Sequence, residues 1–185
     1  MLDPKKVKPT KLLWVDLEMT GPDPSSHAIV EIAAVVTDFT FAPLASYRAV
    51  IHQPESVLQD MHPWAKQQHA ISGLTDRIRS HGQPEAEVID HMTKLITEHF
   101  GDEPAILAGN SVYNDLLFIK RYWPEVYKLL HYRTFDVTAF KILMQGKYHQ
   151  EYQKKESHRA EDDIQESIAE LKHYLEWFAK NSHSI

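Results

Sequence analysis

Two carboxylates, Asp16 and Glu18, stand two residues apart at the end of the otherwise apolar stretch Leu12 to Glu18. In an extended strand alternate side chains share a face, so both acids point the same way. Paired carboxylates in a half-buried place repel each other unless a proton or a cation balances them, which makes this pair a candidate divalent-metal site. A strand end emerging into solvent accounts for a lone Asp-x-Glu equally well. Farther along, Gly109-Asn110-Ser111 is followed by Asp115 at the mouth of a helix, where a first-turn acid also serves as a cap or dipole partner. His158 precedes Asp162 and Asp163 at the entry to a long C-terminal helix. One histidine near acids is ordinary in a chain that has 12 of them, so the argument rests on the three groups occurring together.

The elements that must position these residues follow from periodicity. Leu12 to Glu18 runs into Gly21-Pro22-Asp23-Pro24, a strand ending in a turn. Ile29 to Phe39 predicts a second strand and Tyr47 to His52 a third, before the break at Pro54. Connections this short leave no room for helical crossovers, so the three strands should form an antiparallel meander. The period then changes: Pro63 to Ile71 reads as a short helix, and Glu85 to Phe100 places Val88, Met92, Leu95, Ile96 and His99 at helical spacing. Ala105 to Ala108 is a brief buried strand, and Asp115 to Leu130 a helix that Pro124 should kink or split. Arg133 to Val137 follows as a last strand, Thr138 to Met144 as a helix, and Gln145 to Glu156 as the longest loop. A helix over Ala160 to Lys180 carries Ile164, Ile168, Leu171, Leu175 and Phe178 on its inner stripe. Strands first and helices interleaved later imply a mixed β-sheet flanked by α-helices, an α/β layered domain.

Composition narrows the chemistry. The 185 residues, 43% hydrophobic and 25% charged, suffice for one full core, so residues 1–185 read as a single domain with residues 1–10 as a flexible tail. There is no cysteine, which excludes disulfides, thiolate zinc sites and cysteine nucleophiles. Any metal must therefore sit on carboxylates, histidines or water. Lys5, Lys6, Lys8 and Lys11 precede an apolar run that Asp16 breaks at once, a pattern of neither a signal peptide nor a membrane span, and the expected location is cytoplasmic. The formal charge of −6 argues against a protein that grips long nucleic acid by neutralising phosphates, whereas a short substrate needs no basic track.

Asp16-x-Glu18 on the first strand, Asn110-Ser-x-x-x-Asp115 after a middle strand and His158-x-x-x-x-Asp163 at the last helix resemble the three motifs of the DEDDh exonucleases. Trp14-Val-Asp-Leu-Glu-Met-Thr-Gly21, Gly109-Asn-Ser111, His131-Tyr-Arg133, Asp136-Val137, His158-Arg-Ala, Asp162-Asp-Ile and Glu166-Ser-Ile168 resemble the oligoribonucleases in particular, over roughly Leu12 to Phe178. That resemblance implies an RNase H-like, DnaQ-like fold and a 3′-to-5′ exonuclease that releases nucleoside 5′-monophosphates from short RNA oligonucleotides, dinucleotides especially.

It implies residue roles as well. Asp16 would bridge two divalent cations, Mg²⁺ or Mn²⁺, with Glu18 and Asp163 completing one site and Asp115 supporting the other; hard oxygen ligands suit these metals better than zinc. His158 would take a proton from the attacking water. In a regular helix Asp162 shares the face of His158 better than Asp163 does, whereas the family pattern selects Asp163. The two agree if His158 stands in the loop before the helix. Met19 and Trp64 resemble residues beside the substrate bases, although Trp64 has equally the character of a core residue. His69, in His69-Ala-Ile-Ser-Gly-Leu74, belongs to another matching segment and is a further substrate-binding candidate, and Ser111, Arg133 and Thr138 resemble a cap over the 5′ phosphate. Tyr132 would reach a partner's site in a homodimer, or else serve as an interface or core aromatic. No obligate protein partner is implied.

The match departs in three places. Pro22 stands where the family commonly has a leucine between the bases, Leu116-Leu117-Phe118 replaces the usual charged residues after Asp115, and the Gln145 to Glu156 loop is of different length. These bear on length preference more than on chemistry. Two other readings compete: a DEDDh exonuclease acting on longer DNA or RNA, and a catalytically inactive nucleic-acid-binding module. The latter should have lost an acidic ligand or the histidine, and neither is missing.

Overall fold

The computed structural model describes residues 8–153 and 160–181. Five strands form one sheet: β1 (Lys11–Met19), β2 (Ile29–Asp38), β3 (Pro43–Val50), β4 (Ala105–Gly109) and β5 (Leu130–Asp136), in the order β3-β2-β1-β4-β5. β1, β2 and β3 pair antiparallel, as their short connections require, whereas β1–β4 and β4–β5 are parallel. The parallel pairs need crossovers. Helices α1 (Glu55–Gln59), α2 (Pro63–Ile71), α3 (Leu74–His81) and α4 (Glu85–Phe100) carry the chain to β4, and α5 (Tyr113–Tyr122) and α6 (Pro124–Tyr127) carry it to β5. Helices α7 (Val137–Tyr148) and α8 (Ala160–Asn181) complete the fold.

Strand pleat divides β1 between two cores. Leu13, Val15 and Leu17 pack with Val88, Met92 and Ile96 of α4 and with Phe118 and Ile119 of α5. Leu12 and Trp14 face the other way, against Ile164, Ile168 and Leu171 of α8. That second stripe continues along the strand as Asp16 and Glu18, so its apolar half anchors α8 and its acidic half lies beneath the start of the same helix.

Several boundaries differ from expectation. α1 and α3 were invisible to periodicity: the first has five residues, and the second has only Leu74 and Ile78 buried, under a small cluster with Val30, Leu58 and Met61. β3 is Pro43–Val50, not Tyr47 to His52; Pro43 is tolerated as the first residue of an edge strand, and Ile51 pairs instead with Gln83. β5 begins three residues earlier than Arg133, and α7 takes in the first four residues of the expected loop, Gln145 to Tyr148, before His149 closes it at φ 53°. The break at Pro124 occurs as anticipated. On α8 the inner position belongs to Tyr174, fully buried, while Leu175 is exposed; the Tyr174 hydroxyl donates to the Glu170 carboxylate inside the core. Of the expected tail, residues 1–7 lie outside the described residues, and residues 8–10 are exposed and outside any element.

Candidate active site

Asp16 and Glu18, on alternate positions of β1, meet Asp163 in the opening turns of α8, and one carboxylate oxygen from each lies within 4.8 Å of the others. Asp162, next to Asp163 in the chain, is exposed and is not one of the three. Asp115 approaches from the opposite side. It sits in the first turn of α5, almost fully buried, and its Oδ1 accepts the amide of Leu17 at 2.9 Å, between the two acids of β1.

The electrostatics are those of crowded carboxylates removed from water. Burial, followed by the charges of Glu31, Asp163 and Asp115, pushes Glu18 up to about 8, with Arg77 opposing. Burial pushes Asp115 up to about 7 against the Leu17 hydrogen bond. Near neutrality these groups either hold protons or share a cation. The donors are hard oxygens from separate elements, a set that fits a divalent ion of the Mg²⁺ or Mn²⁺ class.

Two groups flank Glu18. His69 is 2% exposed; its Nε2 lies 2.9 Å from the Met19 carbonyl, which can only accept, and its Nδ1 is 3.9 Å from Glu18 Oε2. Burial lowers the proton affinity of the ring. A side chain so enclosed offers little surface to a ligand. On the other flank Glu31 pairs with Glu18 across the β1–β2 register, and Arg77 Nη1 donates to Glu31 Oε1 at 2.9 Å. Glu31 Oε2 is buried with no hydrogen-bond partner among the described residues.

A second cluster lies at the ends of β4 and β5. Ser111 holds φ 50°, a left-handed conformation that a residue with a side chain keeps only when its surroundings enforce it. Its amide donates to Asp136 Oδ1 at 3.0 Å and to Thr138 Oγ1 at 2.8 Å, and the Thr138 amide donates to the same Asp136 oxygen at 2.9 Å, capping α7. Arg133, three residues before Asp136 on β5, is exposed, its guanidinium 5.1 Å from the ring centre of Tyr132. Tyr132 itself is exposed and stacks on His131. Trp64, in the first turn of α2, is 60% exposed and therefore not a core residue, whereas Met19 is half-buried at the end of β1. Pro22 is exposed in the turn after it, where Gly21 is closely covered by the His27 ring. His158 lies outside the described residues.

Sequence reasoning did not single out Glu31, Arg77 or Glu170, nor see in Asp136 the acceptor that binds two elements. Glu31 had a signal, a lone acid inside the apolar run Ile29 to Val36, and Asp136 stands immediately before a helix with Thr138 two residues on. Arg77 and Glu170 are recognisable only through contacts between elements.

A family model described as Exonuclease, RNase T, matches residues 13–171. The chain is 39% identical over 176 residues to the oligoribonuclease of Pseudomonas paraeruginosa, covering 93% of this chain and 98% of that one. It is 40% identical over 172 residues to the oligoribonuclease of Shewanella loihica, covering 90% and 94%. Among solved structures, exonuclease I of Methylocaldum szegediense superposes with a TM-score of 0.68 at 18% identity, over 86% of this chain and 39% of that one. The zinc-bound form of E. coli exonuclease I with ssDNA gives 0.67 at 16% identity, over 89% and 40%. At these identities the structural likeness is one of fold.

Proposed function

Since the chain belongs to the oligoribonucleases of the RNase T exonuclease family, we propose that it is a 3′-to-5′ exoribonuclease hydrolysing short oligoribonucleotides to nucleoside 5′-monophosphates. Its fold is that of the RNase H-like, DnaQ-like exonucleases. The observation that carries the reading is the convergence of Asp16, Glu18 and Asp163, with Asp115 bonded to the strand between the first two.

Asp16, Glu18 and Asp163 would hold one divalent cation, and Asp16 with Asp115 a second, Mg²⁺ or Mn²⁺. Such cations supply charge neutralisation at the scissile phosphate and its leaving oxygen. The protein's own groups do the rest. His158 accepts the proton of the attacking water, an assignment that rests on the His158-Arg-Ala motif. The buried His69, held through Nε2 by the Met19 carbonyl, backs Glu18. Trp64, with Met19 beside it, offers an open aromatic face to the bases, and stacking of this kind tolerates any sequence. Ser111, Thr138 and Arg133 cap the 5′ phosphate, which favours dinucleotides because a longer chain would have to pass through the cap.

The chain acts as a single exonuclease domain, as a homodimer in the cytoplasm, with no obligate protein partner. Support for the dimer comes from exposed apolar residues beside the cap, Tyr132 at 61%, Ile142 at 66% and Leu143 at 44%, with Tyr132 reaching the partner's site. No described helix is long and apolar enough to cross a membrane.

The test compares hydrolysis of 5′-labelled RNA of two and of ten residues with Mn²⁺. Faster turnover of the dinucleotide, abolished by Asp16→Ala in a folded protein, is the expected result. Equal rates on both lengths would instead favour an exonuclease for longer strands, and binding without release an inactive module.

A further inference from the structure

We infer that Glu170 is a positioning residue for the Ser111–Thr138 cap, acting through the side-chain amide of Asn110; the inference rests on the reading of that cap as a phosphate site.

Glu170 lies in the middle of α8 with no exposed surface. A carboxylate is placed there only at a cost in solvation, and an apolar side chain of similar size would serve packing as well. What the carboxylate adds is direction. Its Oε1 accepts the hydroxyl of Tyr174 at 2.8 Å, and its Oε2 accepts Asn110 Nδ2 at 3.2 Å. Burial, then the carboxylate itself, holds the Tyr174 phenol well above its ordinary value, so that contact keeps its polarity. Asn110 Nδ2 also donates to Ser167 Oγ at 2.7 Å, and Ser167 Oγ in turn donates to the Asp163 carbonyl at 2.7 Å.

With both amide protons of Asn110 drawn into α8, its Oδ1 must face the other way. There it lies 3.4 Å from Thr138 Oγ1, which donates to it. A turned-over amide would set oxygen against the Glu170 carboxylate, so the acid fixes one of two orientations. The polarity then propagates outward. Thr138 Oγ1, its proton committed to Asn110, accepts the Ser111 amide at 2.8 Å and lies 3.2 Å from Ser111 Oγ. With the Thr138 proton so committed, Ser111 Oγ is the donor in that contact, and because Ser111 is exposed it can turn the same proton to an incoming anionic oxygen. The buried acid thereby sets which groups at the surface give protons and which receive them, and it helps hold Ser111 in its left-handed conformation.

The experiment uses the full chain with Mn²⁺ and RNA dinucleotides with and without a 5′ phosphate. In Glu170→Gln the carboxamide keeps an oxygen for Tyr174 and turns its NH₂ toward Asn110, which forces that amide over. KM for the phosphorylated dinucleotide should rise about tenfold, while kcat and KM for the unphosphorylated one stay within about twofold. Thr138→Val should give a similar rise, and the double variant should be no worse than Thr138→Val alone, because the two residues act in series. Additive losses, an equal rise on both substrates, or a fall in kcat would overturn the inference; the last would place Glu170 behind Asp163 instead. If Thr138→Val is sensitive to the phosphate and Glu170→Gln is not, the inference alone fails. If Thr138→Val is insensitive, the cap reading falls and takes the inference with it. Should Glu170→Gln not fold, Asn110→Ala breaks the same link and carries the same expectation for KM.

Discussion

The Asp115 carboxylate accepts the amide of Leu17 at 2.9 Å, joining the first turn of α5 to the one residue that separates Asp16 from Glu18. One acid thus serves two ends: its charge acts on Glu18, and it satisfies a buried backbone donor. Two substitutions separate them. Asp115→Asn keeps an oxygen for Leu17, and because burial already holds this carboxyl near 7, a neutral amide costs the metal-free fold little. Asp115→Ala strands the Leu17 N–H, at about 1–3 kcal/mol. Both should lose turnover, and only the alanine variant should unfold at clearly lower urea. Equal urea midpoints would remove the structural half of this account.

The raised carboxyls make metal-free stability depend on pH with a definite sign. Glu18 and Asp115 have ordinary values of 4.5 and 3.8 and folded values of about 8 and about 7. Their stabilising contribution is complete below the ordinary values and is lost as pH rises through the folded ones. His69 acts oppositely, since burial holds it below 6.5 and its contribution is lost as pH falls. The clean window therefore runs from pH 6.5 to about 8. Thermal unfolding of chelator-treated protein should show a falling midpoint across it, and saturating Mg²⁺ should flatten the slope by replacing the protons. A midpoint that rises across this window without metal would contradict the assignment.

Glu31 faces Glu18 across the β1–β2 register, a like-charge pair that the Arg77 guanidinium offsets from one side. Arg77→Met should cost about 1–2 kcal/mol in metal-free protein, below the figure for a deep pair because the arginine is 40% exposed. Glu31→Gln in the same chain should recover most of the loss. Mn²⁺ should raise the unfolding midpoint of Arg77→Met more than that of the parent, since the cation meets an uncompensated negative site. Failure of the double variant to recover would mean that Arg77 acts through packing.

The acidic cluster was legible because its signals are local: Asp16 and Glu18 two apart on a strand and Asp163 at a helix start. The antiparallel meander was legible for a similar reason, as short connections admit few pairings. Helix α3 was not, because Leu74 and Ile78 are too few to set a period and gain burial only from a distant cluster. Likewise Tyr174 and Leu175 fit a helical stripe equally well from the sequence. The choice falls to Glu170 and Asn110, which reach across from α8 to the end of β4. Residues that support the site from behind share this property: their reason lies in a partner far along the chain.

Trp64 had a reading as core and a reading as stacking platform, and its 60% exposure in the first turn of α2 separates them. A core tryptophan cut to alanine destabilises by several kcal/mol, typically about 3–5. At an exposed position the change in stability should stay within about 0.5 kcal/mol. If the ring instead stacks on a substrate base, Trp64→Ala forfeits about 1–3 kcal/mol of binding, a rise in KM of roughly fivefold to 150-fold. The loss should be the same for adenine and uracil dinucleotides, because stacking reads the face of a base and not its edge. Steady-state kinetics on the two, beside a thermal unfolding curve, decide it: a selective loss on one base, or a large drop in stability with KM unchanged, would assign Trp64 another part.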